Sequence, residues 1–567
     1  MLDKGRLNLV LCWHMHQPQY RRLSDGQYQQ PWVYLHAIKD YVDMVAHIEA
    51  VPGARAVVNF SPVLLDQLAD YVGQVQAYLR DRTPLRDPLL AALAGHWPPP
   101  GPERAVLIEA CLRANKTRVI ERFPAFKRLT ALAAPVIADP GLSAYLEDRY
   151  LRDLVMWYHL GWLGETVRRS DARVGQLMGK AQDFDEDAAR TLLAVIAEVL
   201  ASIVPRYRKL AESGRVELSF TPYAHPMVPL LLDFAVAREA QPDVKLPAVA
   251  RYPGGEERAR WHIQAGREAF IRHFGHAPAG CWPAEGGISA QTLALLDDAG
   301  VKWTASGERV LRHSMQASAE DAARSAPRHR AYGGPGRAIR CFFRDDGLSD
   351  LIGFSYADWH ADDAVGNLVS HLETIARAAD SDSAPIVSII MDGENAWEYY
   401  PENAYYFLRA LYERLASHPL IHLTTFSDYL KEGHAPVALP PLIAGSWVNG
   451  TFATWIGSPD KNRGWEILVQ AKKDYDRVVG LGRLSVEDTG RATEALAVCE
   501  GSDWCWWFGD YNPRESVRDF ERLYRSHIND LYRILGEPPP PMVAEAFVQQ
   551  GGDRCERGGA MRSSGAV

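Results

Sequence analysis

The chain has 567 residues, of which 47% are apolar, with a formal net charge of -9 and a pI near 6.1. This length suffices for a large core with a smaller appended domain, and the acidic balance lacks the basic stripe that phosphate neutralisation requires, so nucleic acid is not an expected partner. The apolar run 7–12 is short and has no cleavage pattern, and no apolar stretch reaches the ~20 residues of a membrane span. We therefore predict a soluble, cytoplasmic protein without a membrane partner.

Short β-type runs alternate with helical segments along most of the chain. The runs are 7–13, 56–60, 215–220, 301–305, 338–343, 386–391 and 421–425. Strands that alternate with helices indicate a parallel α/β architecture. Between the second and third runs, residues 62–212 are mostly helical in pattern, which predicts a helical insertion.

The composition changes after the last β-type run. Residues 434–441 carry three prolines and are predicted as a linker, and residues 464–535 are helical in pattern. The Gly-, Arg- and Ser-rich end lacks apolar periodicity, which favours disorder. We predict a main α/β domain over 1–433, a helical domain over 434–540 and a disordered tail over 541–567.

Two isolated carboxylates follow apolar runs in turn-forming sequence: Glu285 in CWPAEGG (281–287) and Asp392 in IIMDGEN (389–395). Cleavage of a sugar bond needs such a pair, because one carboxyl group protonates the leaving oxygen and the other meets the developing oxocarbenium ion. The chain also has 16 Trp and 24 Tyr residues, whose flat faces suit stacking on sugar rings. The pair therefore predicts a glycoside hydrolase.

The first β-type run ends in WHMHQP (13–18). Side chains alternate along a strand, so His14 and His16 face the same side. In parallel α/β barrels the site lies at the carboxyl ends of the strands, where these histidines and both carboxylates would meet. Taken alone, the two histidines are equally compatible with a structural pair at a turn.

Five motifs in this order resemble those of glycoside hydrolase family 57: HQP at 16–18, RVELS with Glu217, WPAE with Glu285, DGEN with Asp392, and the aromatic segment 447–465. The resemblance continues through CEGSDWCWW at 499–507 and covers roughly residues 5–535. It implies an incomplete seven-stranded parallel β/α barrel with a helical insertion and a C-terminal helical domain. It also implies action on α-glucans with retention of configuration and without an essential metal or other cofactor.

The family pattern assigns the nucleophile to the Glu of the third motif and the general acid/base to the Asp of the fourth, which carry over to Glu285 and Asp392. The nucleophile must stay ionised, whereas the acid needs a raised pKa, which burial and a neighbouring carboxylate produce. Glu394 is the competing candidate for the acid. Gly286 and Gly287 replace bulkier residues of some members, which leaves subsite preference open. The substrate-binding residues that we predict are His14, His16, Glu217, Trp282, Trp397, Trp455 and Asp503.

Several functions stay open at this point. Hydrolysis of amylase or amylopullulanase type and transfer by a 4-α-glucanotransferase or branching enzyme use the same glycosyl-enzyme intermediate and differ in the acceptor. A non-catalytic glucan-binding protein is a more remote alternative, and the oligomeric state is open.

A metal-dependent carbohydrate deacetylase would need a His/Asp cluster. The only His-x-x-x-His is His418 to His422, which contains Pro419 and makes a poor helical ligand pair, and the seven cysteines lack zinc spacing. We expect no metal.

Overall fold

Parallel strands around a common axis form the centre of the molecule. The computed structural model describes residues 6–318, 327–334, 336–379 and 384–548. The strands in these ranges are, in chain order, β1 Leu7–Met15, β2 Ala56–Phe60, β3 Val216–Phe220, β4 Gly280–Cys281, β5 Trp303–Gly307, β6 Tyr332–Gly333, β7 Arg340–Arg344, β8 Ile386–Asp392, β9 Ile421–Leu423 and β10 Val437–Ala438.

Seven of these strands close into a ring in the order β7, β5, β4, β3, β2, β1, β8, with all pairs parallel. The ring closes through one residue pair, Arg344 of β7 with Ser388 of β8. Outside it, β6 pairs antiparallel with β7, β10 pairs with β6, and β9 pairs with the start of β1. The predicted seven-stranded parallel barrel is confirmed.

One strand of the ring was not among the predicted β-type runs. The run 421–425 contains β9, which lies outside the ring, and the ring instead includes β4, which spans only Gly280–Cys281. A two-residue strand is too short to show any periodicity in the sequence.

A polar layer lies at the carboxyl ends of four neighbouring strands. His14 of β1 is in register with Asn59 of β2 and with Asp392 of β8, and Asn59 is in register with Ser219 of β3. Two residues earlier the same face carries Cys12, Val57 and Ile390 of β1, β2 and β8, which belong to a separate buried cluster, and Glu217 of β3. Strand alternation therefore gives the barrel a mostly apolar interior below a polar layer at the carboxyl ends of the strands.

The segment between β2 and β3 is helical, as predicted for residues 62–212. Its α-helices are Pro62–Asp81, Pro88–Leu93, Pro102–Ala110, Pro124–Ala138, Asp148–Trp162, Glu165–Ser170, Ala172–Lys180 and Glu186–Glu212, with a π-helix Lys116–Ile120 and a 3-10 helix Pro140–Tyr145. By length and composition alone, Glu186–Glu212 could cross a membrane. It packs against Pro62–Asp81 and buries its apolar face there, so we assign it to the core.

Further helices connect the other strands. They are Trp32–His36, Ala37–Tyr41 (π), Val42–Ala50, Val228–Leu232, Phe234–Val236 (3-10), Ala237–Ala240, Gly255–Phe274, Ala284–Gly286 (3-10), Ala290–Asp298, Glu308–Ala317, Asp346–Asp350, Leu351–Ser355 (π), Tyr356–Asp358 (3-10), Ala361–Ala378, Trp397–Tyr399 (3-10), Pro401–Ala404 (3-10), Tyr405–Ala416 and Phe426–Lys431.

The C-terminal part packs on the barrel rim. Its helices are Pro459–Gly480, Val486–Cys499, Asp503–Trp507, Arg514–Leu535 and a 3-10 helix Pro541–Val543. The predicted linker 434–441 contains β10, which pairs with β6, and Gly445 pairs with Ile288, so residues 434–445 pack against the barrel domain. Part of the predicted tail is also packed, because the ring of Phe547 contacts those of Phe508 and Tyr524. Residues 549–567 of that tail lie outside the described residues.

Candidate active site

A cleft of about 490 Å³ opens at the carboxyl ends of the barrel strands. Both predicted catalytic carboxylates, Glu285 and Asp392, line it, and so do the predicted residues His14, His16 and Asp503. The rest of its surface comes from barrel loops, the helical insertion and the C-terminal helices. Its tryptophans are Trp32, Trp162, Trp447, Trp506 and Trp507.

Glu285 lies in a strained turn just beyond β4. Its φ of 58° and ψ of 23° are left-handed values, which a residue with a side chain keeps only when its surroundings hold it there. Trp447 holds it twice: the indole Nε1–H donates to Glu285 Oε2 over 3.0 Å, and the backbone N–H donates to the Glu285 carbonyl oxygen over 3.0 Å. These contacts fix the direction in which the carboxylate points into the cleft.

Asp392 ends β8 beside His14. Asn395 donates its Nδ2–H to Asp392 Oδ2 over 3.0 Å. Burial raises the pKa of Asp392, and the Asn395 hydrogen bond and the positive charge of Arg344 only partly offset that rise. An upward shift of the pKa suits a general acid.

Glu394, the competing acid, is held differently. Its Oε1 accepts from the backbone N–H of His16 over 3.2 Å, from Gln17 Nε2 over 3.3 Å and from Tyr41 OH over 3.3 Å. The side chain is 2% exposed, and burial together with the Asp392 charge raises its pKa well above the usual range. Glu394 therefore also lines the cleft, and three hydrogen bonds to Oε1 hold its side chain.

A chain of hydrogen bonds fixes the protonation of two buried histidines. Asn59 donates its Nδ2–H to Ser219 over 3.0 Å, so its Oδ1 accepts from His14 Nδ1–H, 2.6 Å away. His14 Nε2 then accepts from His225 Nε2–H at 3.1 Å, and His225 Nδ1 accepts from the hydroxyl of Ser502 at 2.8 Å. Burial lowers the pKa of His14 to about 3 and that of His225 well below its usual value, so both rings stay neutral.

His16 links the barrel to the C-terminal helices. Its Nε2 lies 2.8 Å from Asp503 Oδ1 and its Nδ1 lies 2.8 Å from Ser61 Oγ. A carboxylate only accepts, so Nε2 carries the proton and Nδ1 accepts from the hydroxyl of Ser61. The ring stacks on His225, with centroids 3.7 Å apart. Residues 502 and 503 thus complete the histidine cluster.

Arg344 and His225 line the cleft but were missed in the sequence. Arg344 ends β7 with 7% exposure, and its Cζ lies 5.5 Å from the centroid of the Trp447 ring. Its Nε–H donates to the Ile390 carbonyl oxygen over 2.8 Å, two residues before Asp392. Arg344 therefore contacts the supports of both carboxylates. The position of Arg344 directly after a β-type run could have indicated it from the sequence. His225 lies in a loop after β3 with a φ of 59°, where no strand pattern applies.

Glu217 does not lie in the cleft, contrary to the prediction. It is in register with Val57 and points into the barrel one layer, or about 7 Å, below the polar layer. There it accepts hydrogen bonds from Trp303 Nε1 over 2.6 Å and from Ser427 N over 2.9 Å. It closes the amino end of the barrel.

Three predicted substrate-binding tryptophans are also absent from the described cleft lining, because each is enclosed by protein. Trp282 lies under the turn that carries Glu285, where a Cβ added at Gly286 would be 2.8 Å from its ring. Trp397 donates to the Gly393 carbonyl oxygen over 2.8 Å and so supports the Asp392 loop. Trp455 packs behind Trp506, with ring centroids 5.8 Å apart.

One group of potential metal ligands lies within the described residues of the cleft. Ligand atoms of His16, His225 and Asp503 lie within 4.8 Å of one another. The two imidazoles stack nearly parallel, at 11°, so their in-plane lone pairs do not converge, and their ring nitrogens already have hydrogen-bond partners. The arrangement fits a hydrogen-bonded cluster better than a metal centre, which needs convergent ligands.

A parallel barrel that opens two carboxylates into one aromatic-lined cleft is the arrangement of enzymes that act on glycosidic bonds. Residues 10–442 match the sequence profile of glycosyl hydrolase family 57. The chain belongs to this family. None of the curated proteins compared with the sequence is significantly similar to it.

The fold is shared with solved structures at low sequence identity. A family 57 branching enzyme from Thermococcus kodakaraensis, solved with glucose, has a TM-score of 0.57 and 14% identity over 98% of this chain and 99% of that chain. The α-amylase AmyC from Thermotoga maritima has a TM-score of 0.55 and 13% identity over 95% and 96%. A 4-α-glucanotransferase from Thermococcus litoralis has a TM-score of 0.51 and 14% identity over 93% and 60%.

Proposed function

We propose that the protein is a retaining enzyme that cleaves α-glucans such as starch, glycogen or maltooligosaccharides, as an amylase or amylopullulanase. The observation that carries this proposal is the unlike settings of two carboxyl groups in one cleft. Glu285 accepts an indole N–H, a hydrogen bond that stabilises negative charge, whereas burial raises the pKa of Asp392. Unlike settings of this kind assign one group as nucleophile and the other as acid.

In the first half-reaction, the Glu285 carboxylate attacks the anomeric carbon and the bond from that carbon to the leaving oxygen breaks. Asp392 gives its proton to this oxygen, so the departing chain leaves as a neutral alcohol. In the second half-reaction, Asp392 takes a proton from the acceptor hydroxyl, which attacks the anomeric carbon and releases Glu285. Two inversions at one carbon retain the configuration.

The histidine cluster forms a rigid wall of the cleft beside the proposed cleavage point. His16 is fixed by Asp503 and Ser61, and neutral His14 is fixed by Asn59, so their rings face the cleft in set tautomers. The tryptophans that line the cleft offer apolar faces for neighbouring glucose rings. The carboxylates beside them accept hydrogen bonds from sugar hydroxyls, and the amides both donate and accept such bonds.

Transfer to a sugar hydroxyl is the second candidate. It uses the same intermediate, and this chain shares its fold with the branching enzyme and the 4-α-glucanotransferase above. An acceptor that outcompetes water needs aromatic surface beyond the cleavage point, and Trp506 and Trp507 of the C-terminal helices supply such surface in the cleft.

Incubation with maltoheptaose and, separately, with pullulan tests both candidates. Hydrolysis yields only products shorter than the substrate, and cleavage of pullulan indicates action on α-1,6 bonds. Products longer than maltoheptaose, or new α-1,6 branch signals in proton NMR, indicate transfer. Full activity after dialysis against a chelator is expected. Deacetylation of an N-acetylated or O-acetylated oligosaccharide, dependent on a stoichiometric ion, would overturn the proposal.

A further inference from the structure

A buried ion pair joins the barrel to the C-terminal helices behind the active site. Arg258, on helix Gly255–Phe274, donates through Nε to Glu500 Oε1 over 2.9 Å and through the terminal nitrogen to Oε2 over 2.7 Å. His262, one turn further along the helix, lies with Nε2 2.7 Å from Glu500 Oε2, and Tyr252 OH also donates to this carboxylate. Glu500 is 1% exposed and His262 is fully buried.

The residues that follow Glu500 enter the histidine cluster directly. Gly501 pairs with Pro226, and the Ser502 backbone N–H donates to the His225 carbonyl oxygen over 2.9 Å. Ser502 Oγ then bonds His225 Nδ1, and Asp503 bonds His16. The strand-like pairing sets residues 501–503 against the loop that carries His225.

The same helix also holds that loop. The carbonyl oxygen of His262 accepts from the backbone N–H of Tyr223 over 2.9 Å, two residues before His225. Gly266 lies so close to this loop that an added Cβ would be 2.9 Å from the Thr221 carbonyl oxygen. One helix therefore fixes the His225 loop through its backbone and the 501–503 segment through Glu500.

We propose that Glu500, held by Arg258 and His262, is a positioning residue that sets Asp503 and Ser502 against His16 and His225. The activity readout of its test rests on the function proposed above.

The charge on Glu500 suits this role. The Arg258 charge and the His262 hydrogen bond outweigh the effect of burial and lower the pKa of Glu500 to about 2, so the carboxylate stays ionised across the working pH range. Buried ion pairs are often no more stabilising than apolar side chains of the same volume, but they impose a fixed geometry. Replacement of both charged residues by neutral ones should therefore change the position of residues 501–503 while it changes the free energy of unfolding little.

The test is the double variant Arg258→Met, Glu500→Gln. The amide oxygen can accept from His262 Nε2–H in place of Oε2, and the amide NH2 in place of Oε1 can donate to the Tyr252 hydroxyl oxygen, while the bidentate guanidinium contact is lost and no charge is left buried alone. We expect a folded protein whose kcat on maltoheptaose falls on the order of 10- to 100-fold, since small misplacements at a site cost this much. The matched control is Arg525→Met, Glu521→Gln, which removes an ion pair in the same domain, where Arg525 Nε lies 2.7 Å from Glu521 Oε1. It should change kcat less than about 3-fold.

A double-mutant cycle distinguishes positioning from general destabilisation. In a background with both Asp503→Asn and Ser502→Ala, the Arg258 and Glu500 substitutions should lower kcat by less than about 3-fold, because they act through Asp503 and Ser502. The same large loss in both backgrounds would overturn the proposal. If the double variant fails to fold, His262→Gln, which leaves the ion pair intact, is measured in the same cycle.

Hydrogen exchange gives a readout that needs no substrate. The amides of residues 501–503 should exchange faster in the double variant, while peptides of Arg514–Leu535 are unchanged. Unchanged exchange at 501–503 would contradict the proposal. If the wild-type protein does not act on maltoheptaose, the proposed function is wrong, and the exchange measurement still decides the role of Glu500.

Discussion

Trp447 and Glu285 are joined by two hydrogen bonds, each of 3.0 Å, one from the indole to the carboxylate and one from backbone to backbone. The indole lies between Trp282, whose ring centroid is 5.4 Å away, and the guanidinium of Arg344. The Glu285 carboxylate is therefore oriented by a residue far along the chain, and the strained backbone of Glu285 is held by the same residue.

Trp447→Phe tests this relationship. The phenyl ring keeps the packing on Arg344 and Trp282 but donates no hydrogen bond to Glu285. A hydrogen bond to a charged group contributes about 1.5–3 kcal/mol, so formation of the glycosyl-enzyme should slow on the order of 10- to 100-fold in pre-steady-state measurements. Trp455→Phe is the matched control, since that ring is buried behind Trp506, and its rate should stay within about 2-fold of wild type. Equal effects of the two substitutions would contradict the role of the indole.

Leaving-group dependence distinguishes Asp392 from Glu394 as the acid. Asp392→Asn should slow maltooligosaccharide cleavage strongly and cleavage of an activated aryl glycoside far less, because a good leaving group needs no proton. Glu394→Gln should slow both substrates by a similar factor, since that residue supports His16 and Gln17. If Glu394→Gln shows the leaving-group dependence instead, the acid is Glu394.

The pH profile of Arg344 variants tests the electrostatics of Asp392. The acid must start protonated, so kcat/KM is lost as pH rises through the pKa of Asp392. The Arg344 charge lowers that pKa, so its removal in Arg344→Met should move the alkaline limb of the profile to higher pH. Arg344→Lys keeps the charge and should leave the limb near the wild-type position. A limb that moves to lower pH in Arg344→Met would contradict this assignment.

Asp503→Asn tests whether the C-terminal helices belong to the active site. An amide is a weaker acceptor for His16 Nε2–H than a carboxylate, so the ring should lose its fixed orientation and kcat should fall by roughly 10-fold or more. Asp488→Asn makes the same chemical change at a side chain that is 42% exposed, on helix Val486–Cys499 of that region, and should leave kcat unchanged. If folded Asp503→Asn protein has the same kcat as the wild type, the C-terminal helices do not contribute to the active site.

The sequence predicted those features that depend on local pattern. Strand alternation and the carboxyl-end rule correctly put His14 into the cleft beside Asp392. The same rules, applied with register, explain why Glu217 is outside it, but register depends on pairing that the sequence does not reveal. Residues such as Trp397 and Trp455 could not be separated from the cleft tryptophans, because burial of an aromatic ring is decided by tertiary packing. His225 and Arg344 were missed for the same reason, since their roles arise only when distant segments meet.

The most direct test of the central claim is mass spectrometry of the enzyme after reaction with a 5-fluoro-α-glucosyl fluoride, which slows release of the glycosyl-enzyme. We expect a single covalent hexosyl adduct on the peptide that carries Glu285, no adduct in Glu285→Gln, and α-configured first products by NMR with the natural substrate. An adduct on another carboxylate, or first products of inverted configuration, would contradict it.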